Sequence, residues 1–297
     1  MPHSAPSGHR NRTGRALALL SLTVLWTAAC SLPAGSAPNG DPTAAPPLPG
    51  PEDGNGEAGE EGRTHGSAQD SAPRGDGPLG DRVVVIDPGH NGGNADSPDE
   101  INARVDVGNG RKACDAVGAE SVNGYAEHEF NWELSLLVRE RLEADGVTVV
   151  LTREDNDGVG PCIDERAAIG NENEADAALS LHADGGPESG RGFHVIAPGT
   201  VDGLTEEIVE PSALLAEDIR REYLEGSDIP YADYLANEGL DERTDLGGLN
   251  LSTVPKVFLE AGNMRNPEDA ALLEDPQWRE QAADAIARGV AAYLMRQ

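Results

Sequence analysis

Basic residues are scarce in this chain of 297 residues: 22 Lys and Arg stand against 53 Asp and Glu, which gives a formal charge of −31. Sequence-independent binding of nucleic acid needs clustered Lys and Arg to contact phosphates, and docking on an anionic membrane needs the same charge. The composition therefore argues against both kinds of partner. Aromatic residues make up only 4% of the chain, which is low for a sequence that folds over its whole length.

The apolar run nearest the N-terminus is too short to span a membrane. Residues 16–28 are uncharged, but a transmembrane helix needs about 20 apolar residues. Arg10, Arg12 and Arg15 precede this run, and a basic segment before a short apolar core is typical of an export signal. We therefore expect the protein to be exported.

The export signal ends in small residues, Thr27, Ala28 and Ala29, directly before Cys30. This ending resembles a bacterial lipobox, in which the cysteine is diacylated and becomes the new N-terminus. We predict that residues 1–30 are a signal peptide with a lipobox-like end and that Cys30 anchors the protein to the cell membrane, facing the cell wall. Cleavage at an Ala-x-Ala-like site, which would give a secreted protein, is the alternative.

A segment rich in glycine and proline follows. Residues 31–80 contain 11 Gly and 9 Pro, no aromatic residue, and only three residues of the types Leu, Ile, Val or Phe. Such a segment cannot bury enough apolar surface to offset the entropy lost on ordering. We predict a disordered linker with an end-to-end distance of about 35–45 Å, which suits an anchored module that works in the wall.

The remaining residues, 81–297, are predicted to form a single α/β domain. Short apolar runs typical of buried strands alternate with segments whose apolar residues recur at helical spacing. This alternation favours a mixed, mostly parallel sheet with helices on both faces. The predicted strands are 82–87, 147–151, 177–181, 192–196 and 257–259, and the predicted helices are 131–145, a segment beginning at 164, 211–224 and 277–295.

Polar residues gather where the predicted strands end. His90 follows the first strand, His182 follows the third, Glu260 follows the last, and Glu127 begins the stretch that starts the first helix. Two histidines and a carboxylate are a common ligand set of catalytic zinc, which keeps a fourth position for water. A further carboxylate is needed to move the proton. By itself this placement is weak evidence for a metal site, because a histidine at a strand end more often has a structural role. His194 lies within a strand, and we expect it to have such a structural role.

Six short stretches follow one another along the predicted domain and cover almost all of 81–297. They are Asp-Pro-Gly-His-Asn-Gly-Gly (87–93), Glu-His-Glu-Phe-Asn-Trp (127–132), Leu-Thr-Arg (151–153), Ser-Leu-His-Ala-Asp (180–184), Pro-Lys-Val-Phe-Leu-Glu-Ala-Gly (255–262) and Asn-Pro-Glu-Asp (266–269). Together, in this order and at plausible spacing, they resemble the motifs of the zinc-dependent N-acetylmuramoyl-L-alanine amidases of the amidase-3 type.

The resemblance implies a ligand set and a reaction. It places one Zn²⁺ per chain on His90, Glu127 and His182, and the catalytic glutamate at Glu260. Glu129 is a rival zinc ligand, but its spacing from the helical Asn131 fits the family pattern less well than that of Glu127. Asn91 departs from the family, which has glycine after the histidine.

Actinobacterial members of the family are the most similar to this chain. They share the Glu-His-x-Phe helix start and the Gly-Pro-Cys-x-Asp-Glu-Arg stretch, which is 160–166 here, and they pair a cysteine at the position of Cys114 with the later one, Cys162. The number of cysteines agrees with this pairing. If Cys30 carries a lipid, two cysteines remain, and an even number in an exported protein favours a disulfide. Two free buried thiols are the alternative.

The implied activity is hydrolysis of the amide between the lactyl group of N-acetylmuramic acid and L-alanine of the peptidoglycan stem. Peptidoglycan or muropeptide fragments are then the partners, and we expect a monomer. One alternative is an envelope zinc peptidase that cuts within the stem peptide. Another is a catalytically inactive lipoprotein that binds wall fragments, although such a module need not keep all of His90, Glu127, His182 and Glu260.

Overall fold

The computed structural model describes residues 77–235 and 237–297. The predicted signal peptide, Cys30 and the predicted linker up to residue 76 lie outside the described residues. Leu79 already belongs to the folded part, because its side chain is buried in the core and its N–H donates to the Asp145 carbonyl at 3.3 Å. None of the helices in the described part is both long enough and apolar enough to cross a membrane.

Six strands form the central sheet, and two short strands pair separately as an antiparallel hairpin. In chain order the strands are β1 (Val83–Pro88), β2 (Arg104–Asp106), β3 (Arg111–Ala113), β4 (Thr148–Leu151), β5 (Ala177–Asp184), β6 (His194–Pro198), β7 (Leu240–Arg243) and β8 (Lys256–Asn263).

The sheet has the order β4-β1-β5-β8-β6-β7, with β2 and β3 forming the hairpin. Strands β4, β1, β5 and β8 are parallel neighbours, β6 runs antiparallel to β8, and β7 is parallel to β6. The predicted mixed, mostly parallel sheet is therefore confirmed. The carboxyl ends of β1, β5 and β8 meet at one edge, which is where ligand sites form in open α/β sheets.

Helices cover both faces of the sheet, as predicted. They are α1 (Pro98–Ile101), α2 (Glu127–Ala144), α3 (Ile163–Glu172), α4 (Val209–Gly226), α5 (Gly247–Asn250), α6 (Pro267–Leu273) and α7 (Pro276–Leu294). Helices α2, α4 and α7 pack together over one face, while α3 and α5 contact each other on the other face.

The main core lies between the sheet and the face covered by α2, α4 and α7. In α2 the side chains of Phe130, Leu134, Val138 and Leu142 recur every four residues, so all four lie near one face, and all four are fully buried. Burying each contributes about 1.5–3 kcal/mol. This packing fixes α2 against the sheet and thereby fixes the position of its first turn.

Three features differ from the predicted elements. Helix α2 begins at Glu127, where the Glu-His-x-Phe stretch puts the helix start, rather than at 131, where apolar spacing puts it; Glu127 and Glu129 lie in its first turn, where acids are favoured by the helix dipole. Strands β5 and β8 extend through their polar ends to Asp184 and Asn263. The edge strand β7 was not predicted, because Leu-Asp-Glu-Arg has the polar composition of a loop; charged residues are common on exposed edges.

Candidate metal centre and catalytic cleft

The predicted site residues come together at the shared edge of the parallel strands. His90 follows β1, while His182 and Glu260 are direct neighbours in the register of β5 and β8. Neighbouring residues in register project from the same face of a sheet. Glu127, in the first turn of α2, reaches the same point from the side of the helix.

Three of these residues form a cluster that can hold a metal ion. One ligand atom from each of His90, Glu127 and His182 lies within 4.8 Å of the others. Glu127 Oε1 lies 3.2 Å from His90 Nε2 and 2.9 Å from His182 Nδ1. Two imidazole nitrogens and one carboxylate converging in this way match a catalytic zinc site. Glu129, the rival ligand, is exposed and lies outside the cluster.

Each candidate ligand side chain is also contacted by a residue outside the cluster, which fixes its orientation. His90 Nδ1 is 3.0 Å from the Ala116 carbonyl and 3.2 Å from Asp115 Oδ1, which leaves Nε2 facing Glu127. Glu127 Oε2 accepts the Ala119 N–H at 2.6 Å. The His182 ring stacks on Phe258 with 5.4 Å between ring centroids. Such outer contacts orient metal ligands and set the histidine tautomer.

The electrostatics of the cluster favour a cation. Burial opposes the charged form of His90, yet the carboxylates of Glu127 and Asp115 raise its pKa to about 10. Burial likewise works against ionised Glu127, but His90 and His182 keep its pKa well below the ordinary value. Glu127 therefore carries a negative charge between the two imidazoles, a donor arrangement suited to a divalent ion.

Glu260 lies beside the cluster without a hydrogen-bond partner for its Oε2 atom in the described part of the chain. Burial, together with the negative charges of Glu127 and Asp184, raises the pKa of Glu260 well above its ordinary value. A buried carboxyl group with a free oxygen and a raised pKa is suited to accept and return a proton near neutral pH.

The loop that carries His90 is strained and is held by a buried ion cluster. His90 has φ 59°, in the left-handed region that is costly for residues other than glycine. Arg166 donates to the carbonyls of Pro88 and His90 at 2.8 and 3.1 Å, and it pairs with Asp87 at 2.9 Å. Gly89 is required for close packing, because a β-carbon there would lie 2.1 Å from the His182 ring.

Sequence reasoning gave no role to Asp87, Asp115 or Arg166. Asp87 and Arg166 stand inside quoted family motifs, so their presence there was a usable signal. Asp115 lies in a segment rich in polar residues, and nothing in the sequence around it indicated its role. Their side-chain contacts with His90, Lys256 and one another join residues 25 to 169 positions apart, which periodicity does not detect.

Cys114 and Cys162 form a disulfide in the structure. The bond joins the segment after the β2–β3 hairpin to the residue that precedes α3, and the Ile163 N–H also donates to the Cys114 carbonyl at 2.9 Å. Asp115 and Ala116, the next residues along, are those that contact His90 Nδ1. The disulfide therefore fixes the support of one candidate ligand.

An open cleft of about 440 Å³ lies directly over the cluster. The candidate ligands and Glu260 line it together with Arg243 and Arg265. A second recess of about 260 Å³ reaches His90 and His182 from the side of Lys112 and Ile163. The first cleft is large enough for the part of a peptide substrate around the bond to be cut.

His194 does not join the metal cluster. It is buried on β6, opposite Glu260 in the antiparallel register, and its Nδ1 has no hydrogen-bond partner among the described residues. Burial lowers the pKa of His194, which keeps the imidazole neutral. The sequence placed it in a strand but gave no sign that it would neighbour Glu260.

The chain is similar to known proteins over most of the described domain. The amidase-3 family, described as N-acetylmuramoyl-L-alanine amidase, matches residues 84–292. The chain is 46% identical over 216 residues to the N-acetylmuramoyl-L-alanine amidase Rv3717 of Mycobacterium tuberculosis, covering 72% of this chain and 87% of that protein. It also resembles crystal structures of the N-acetylmuramyl-L-alanine amidase Ami1 from two other mycobacteria.

Both structural matches extend over nearly the whole of the Ami1 chains. For Mycobacterium smegmatis Ami1 the TM-score is 0.69 at 42% identity, covering 73% of this chain and 98% of that one. For Mycobacterium abscessus Ami1 the TM-score is 0.67 at 41% identity, covering 72% and 98%. This chain belongs to the amidase-3 family of N-acetylmuramoyl-L-alanine amidases.

Proposed function

We propose that this protein hydrolyses the amide bond between the lactyl group of N-acetylmuramic acid and L-alanine of the peptidoglycan stem peptide. The observation that supports this most directly is the convergence of His90, Glu127 and His182 beside Glu260, under an open cleft, in a chain of this family. An amidohydrolase needs such a site, with a metal for the carbonyl and a carboxylate for the proton.

One zinc ion per chain would be held by His90, Glu127 and His182. The donor set fits this ion, because two neutral imidazoles and one carboxylate leave a coordination position open. When bound, zinc supplies Lewis-acid chemistry, since it polarises a carbonyl oxygen and lowers the pKa of water to about 7. Asp115 and Ala116 would hold His90 in the tautomer that presents Nε2 to the ion.

Glu260 would act as general base and then as general acid. It accepts the proton of the attacking water on a carboxylate oxygen, and it delivers that proton to the departing nitrogen of L-alanine. Its unpartnered Oε2 is free for both transfers. The negative charge of Glu127 and Asp184 makes the protonated form of Glu260 accessible after the first transfer.

The test is digestion of purified peptidoglycan by the zinc-loaded protein, with mass analysis of the products. We expect stem peptides with a free L-alanine N-terminus, together with intact glycan strands. Glu260→Gln should bind zinc but lose about 10²–10⁴-fold in rate, and the exposed Glu129→Gln should not. Cleavage within the stem would indicate a peptidase. Absence of any product, with wall fragments bound, would indicate an inactive binding protein.

We further propose three parts for the chain: an export signal at 1–30, a flexible linker at 31–80 and the catalytic domain at 81–297. The protein would act as a monomer, held to the membrane through acylated Cys30 and working on the adjacent wall. Cys30→Ser should release the protein to the medium or leave it uncleaved. Membrane attachment and processing unchanged in this variant would contradict the anchor, and release of the wild-type protein would favour the secreted form.

A further inference from the structure

Arg265 lies in the catalytic cleft, and its positively charged guanidinium group has no acidic partner among the described residues. It makes no side-chain hydrogen bond or ion pair with any described residue, although Asp184 and Glu260 line the same cleft. The other arginine of the cleft, Arg243, differs because Asp245 accepts two hydrogen bonds from it, at 2.7 and 2.9 Å. Arg265 therefore presents the one uncompensated positive charge among the described residues that line this cleft.

The backbone of Arg265 is fixed at the turn between β8 and α6. Its N–H donates to Asn263 Oδ1 at 3.0 Å, and the Asn263 side-chain amide donates to the carbonyls of Pro187 and Gly190. A turn held in this way limits the positions that the guanidinium can reach. The backbone of Arg265 thus holds its positive charge near one place in the cleft, although the side chain is exposed.

Gly185 and Ala119 connect Arg265 to the metal cluster. A β-carbon at Gly185 would lie 3.7 Å from Arg265 Nε and 3.1 Å from the Ala119 side chain. Ala119 in turn donates its N–H to Glu127 at 2.6 Å. The guanidinium therefore lies along the wall of the cleft that leads directly to a candidate metal ligand.

The charge of the domain makes this position significant. Residues 81–297 contain 45 acidic and 17 basic residues, so the surface as a whole repels anions. A peptidoglycan stem is an anionic peptide when its carboxyl groups are free. An arginine fork binds a carboxylate through two parallel hydrogen bonds, and it offsets this repulsion at one place.

We propose that Arg265 binds a free carboxylate of the stem peptide and makes the enzyme favour stems whose second residue carries a carboxylate over stems in which that group is amidated. This inference rests on the proposed amidase function. The second residue follows the scissile nitrogen after one alanine, and an extended residue spans at most about 3.6 Å. Its α-carboxylate therefore lies within about 7 Å of that nitrogen, inside a cleft that both Glu260 and Arg265 line.

The substrates for the test are N-acetylmuramoyl-L-alanyl-D-glutamate γ-methylamide and its α-amide, which differ only at the α-carboxyl group of the second residue, each given to the full zinc-loaded protein. We expect wild-type kcat/KM to be about 10-fold or more higher for the acid, mainly through KM, because hydrogen bonds to a charged group are strong. Arg265→Gln should reduce the preference to within about threefold, by slowing the acid alone. Arg265→Glu should favour the amide.

A matched control and a binding measurement separate this proposal from the activity itself. Arg139→Gln removes the same charge from α2, at a side chain that also lacks a described partner, and it should keep the wild-type preference. Calorimetry with the dipeptide products, L-alanyl-D-glutamate γ-methylamide and its α-amide, needs no turnover. Equal binding of the two dipeptides by the wild type, or a preference that persists in Arg265→Gln, would overturn the proposal. Loss of hydrolysis of both substrates with dipeptide discrimination intact would instead count against the amidase function.

Discussion

Replacing Asp87 with asparagine should destabilise the domain more than any exposed substitution of the same kind. Asp87 is buried, and its carboxylate accepts from Thr152 at 2.7 Å, Ser180 at 2.5 Å, Arg166 at 2.9 Å and Lys256 at 3.3 Å. An asparagine side chain would keep the shape but lose the charge. The side-chain NH₂ group of the asparagine would also point its hydrogens at groups that are themselves hydrogen-bond donors.

The size of the stability loss depends on which ion-pair partners Arg166 and Lys256 keep when Asp87 loses its charge. Arg166 would keep Asp115 at 3.2 Å, whereas Lys256, buried to 2% exposure, would have no other acid in ion-pair contact among the described residues. Removing one partner of a buried ion pair costs about 3–5 kcal/mol. For a domain of this size that corresponds to a fall in melting temperature of about 6–20 °C. The strained His90 loop, which Arg166 holds, should also bind zinc less tightly.

The assay is urea unfolding of the wild type and Asp87→Asn with the disulfide intact and a chelator present, so that metal binding adds nothing to the measured stability. Burial favours the neutral acid, but Lys256, Arg166 and the two hydroxyl donors hold the pKa of Asp87 far below its ordinary range. A depressed folded-state pKa contributes stability above the unfolded value, near 4, and that contribution is lost as the pH falls. The difference between the two proteins should therefore shrink by about 1.4 kcal/mol for each pH unit below roughly 4.

Two further variants show whether the charge is responsible. Asp202→Asn, at an exposed site without a described contact, should change stability by no more than about 0.5 kcal/mol. Adding Lys256→Met to Asp87→Asn removes the unpaired cation and should restore at least about 1 kcal/mol. A loss under about 1 kcal/mol for Asp87→Asn at neutral pH, or a loss that is equal at neutral pH and at about pH 3, would refute the reasoning.

The remaining predictions concern the metal cluster and the disulfide. His182→Ala should lose bound zinc whereas His194→Ala retains it, because of these two histidines His182 alone contacts Glu127; zinc counted by atomic absorption at full stoichiometry in His182→Ala would disprove the ligand set. Glu127→Gln should lose zinc and Glu129→Gln should keep it, since Glu129 is exposed, and equal zinc in the two variants would contradict this. Cys114→Ser opens a loop closed across 48 residues and should cost about 4 kcal/mol while zinc still binds; an unchanged melting temperature in calorimetry would argue against it.

Several elements were predictable because their signals are local. The apolar spacing of Phe130, Leu134, Val138 and Leu142 predicts α2 without knowledge of what it packs against. The run Val83–Ile86 predicts a buried strand for the same reason. The Glu-His-x-Phe stretch gives the correct helix start at Glu127, whereas apolar spacing alone places it four residues late, because helix ends depend on capping and on neighbouring chain rather than on apolar spacing.

The arrangement of the sheet was less predictable. Strand β6 runs antiparallel between β8 and β7, which places His194 opposite Glu260. A strand's own sequence does not encode its neighbour or its direction, because both depend on contacts between residues far apart in the chain. The edge strand β7 carries Arg243 into the cleft, yet its four residues have no apolar pattern to detect.

The sequence by itself determined the class of fold, the order of its strands and helices along the chain, and the residue types available at the strand ends, because periodicity and motifs are properties of short segments. The tertiary structure alone decided which of those residues meet. It brought Glu127 rather than Glu129 to His90 and His182, placed Asp87 between Arg166 and Lys256, and left Arg265 unpaired in the cleft. These outcomes depend on distances across the sheet and on burial, which change the energy of a charge by several kcal/mol and which exist only after the chain has folded.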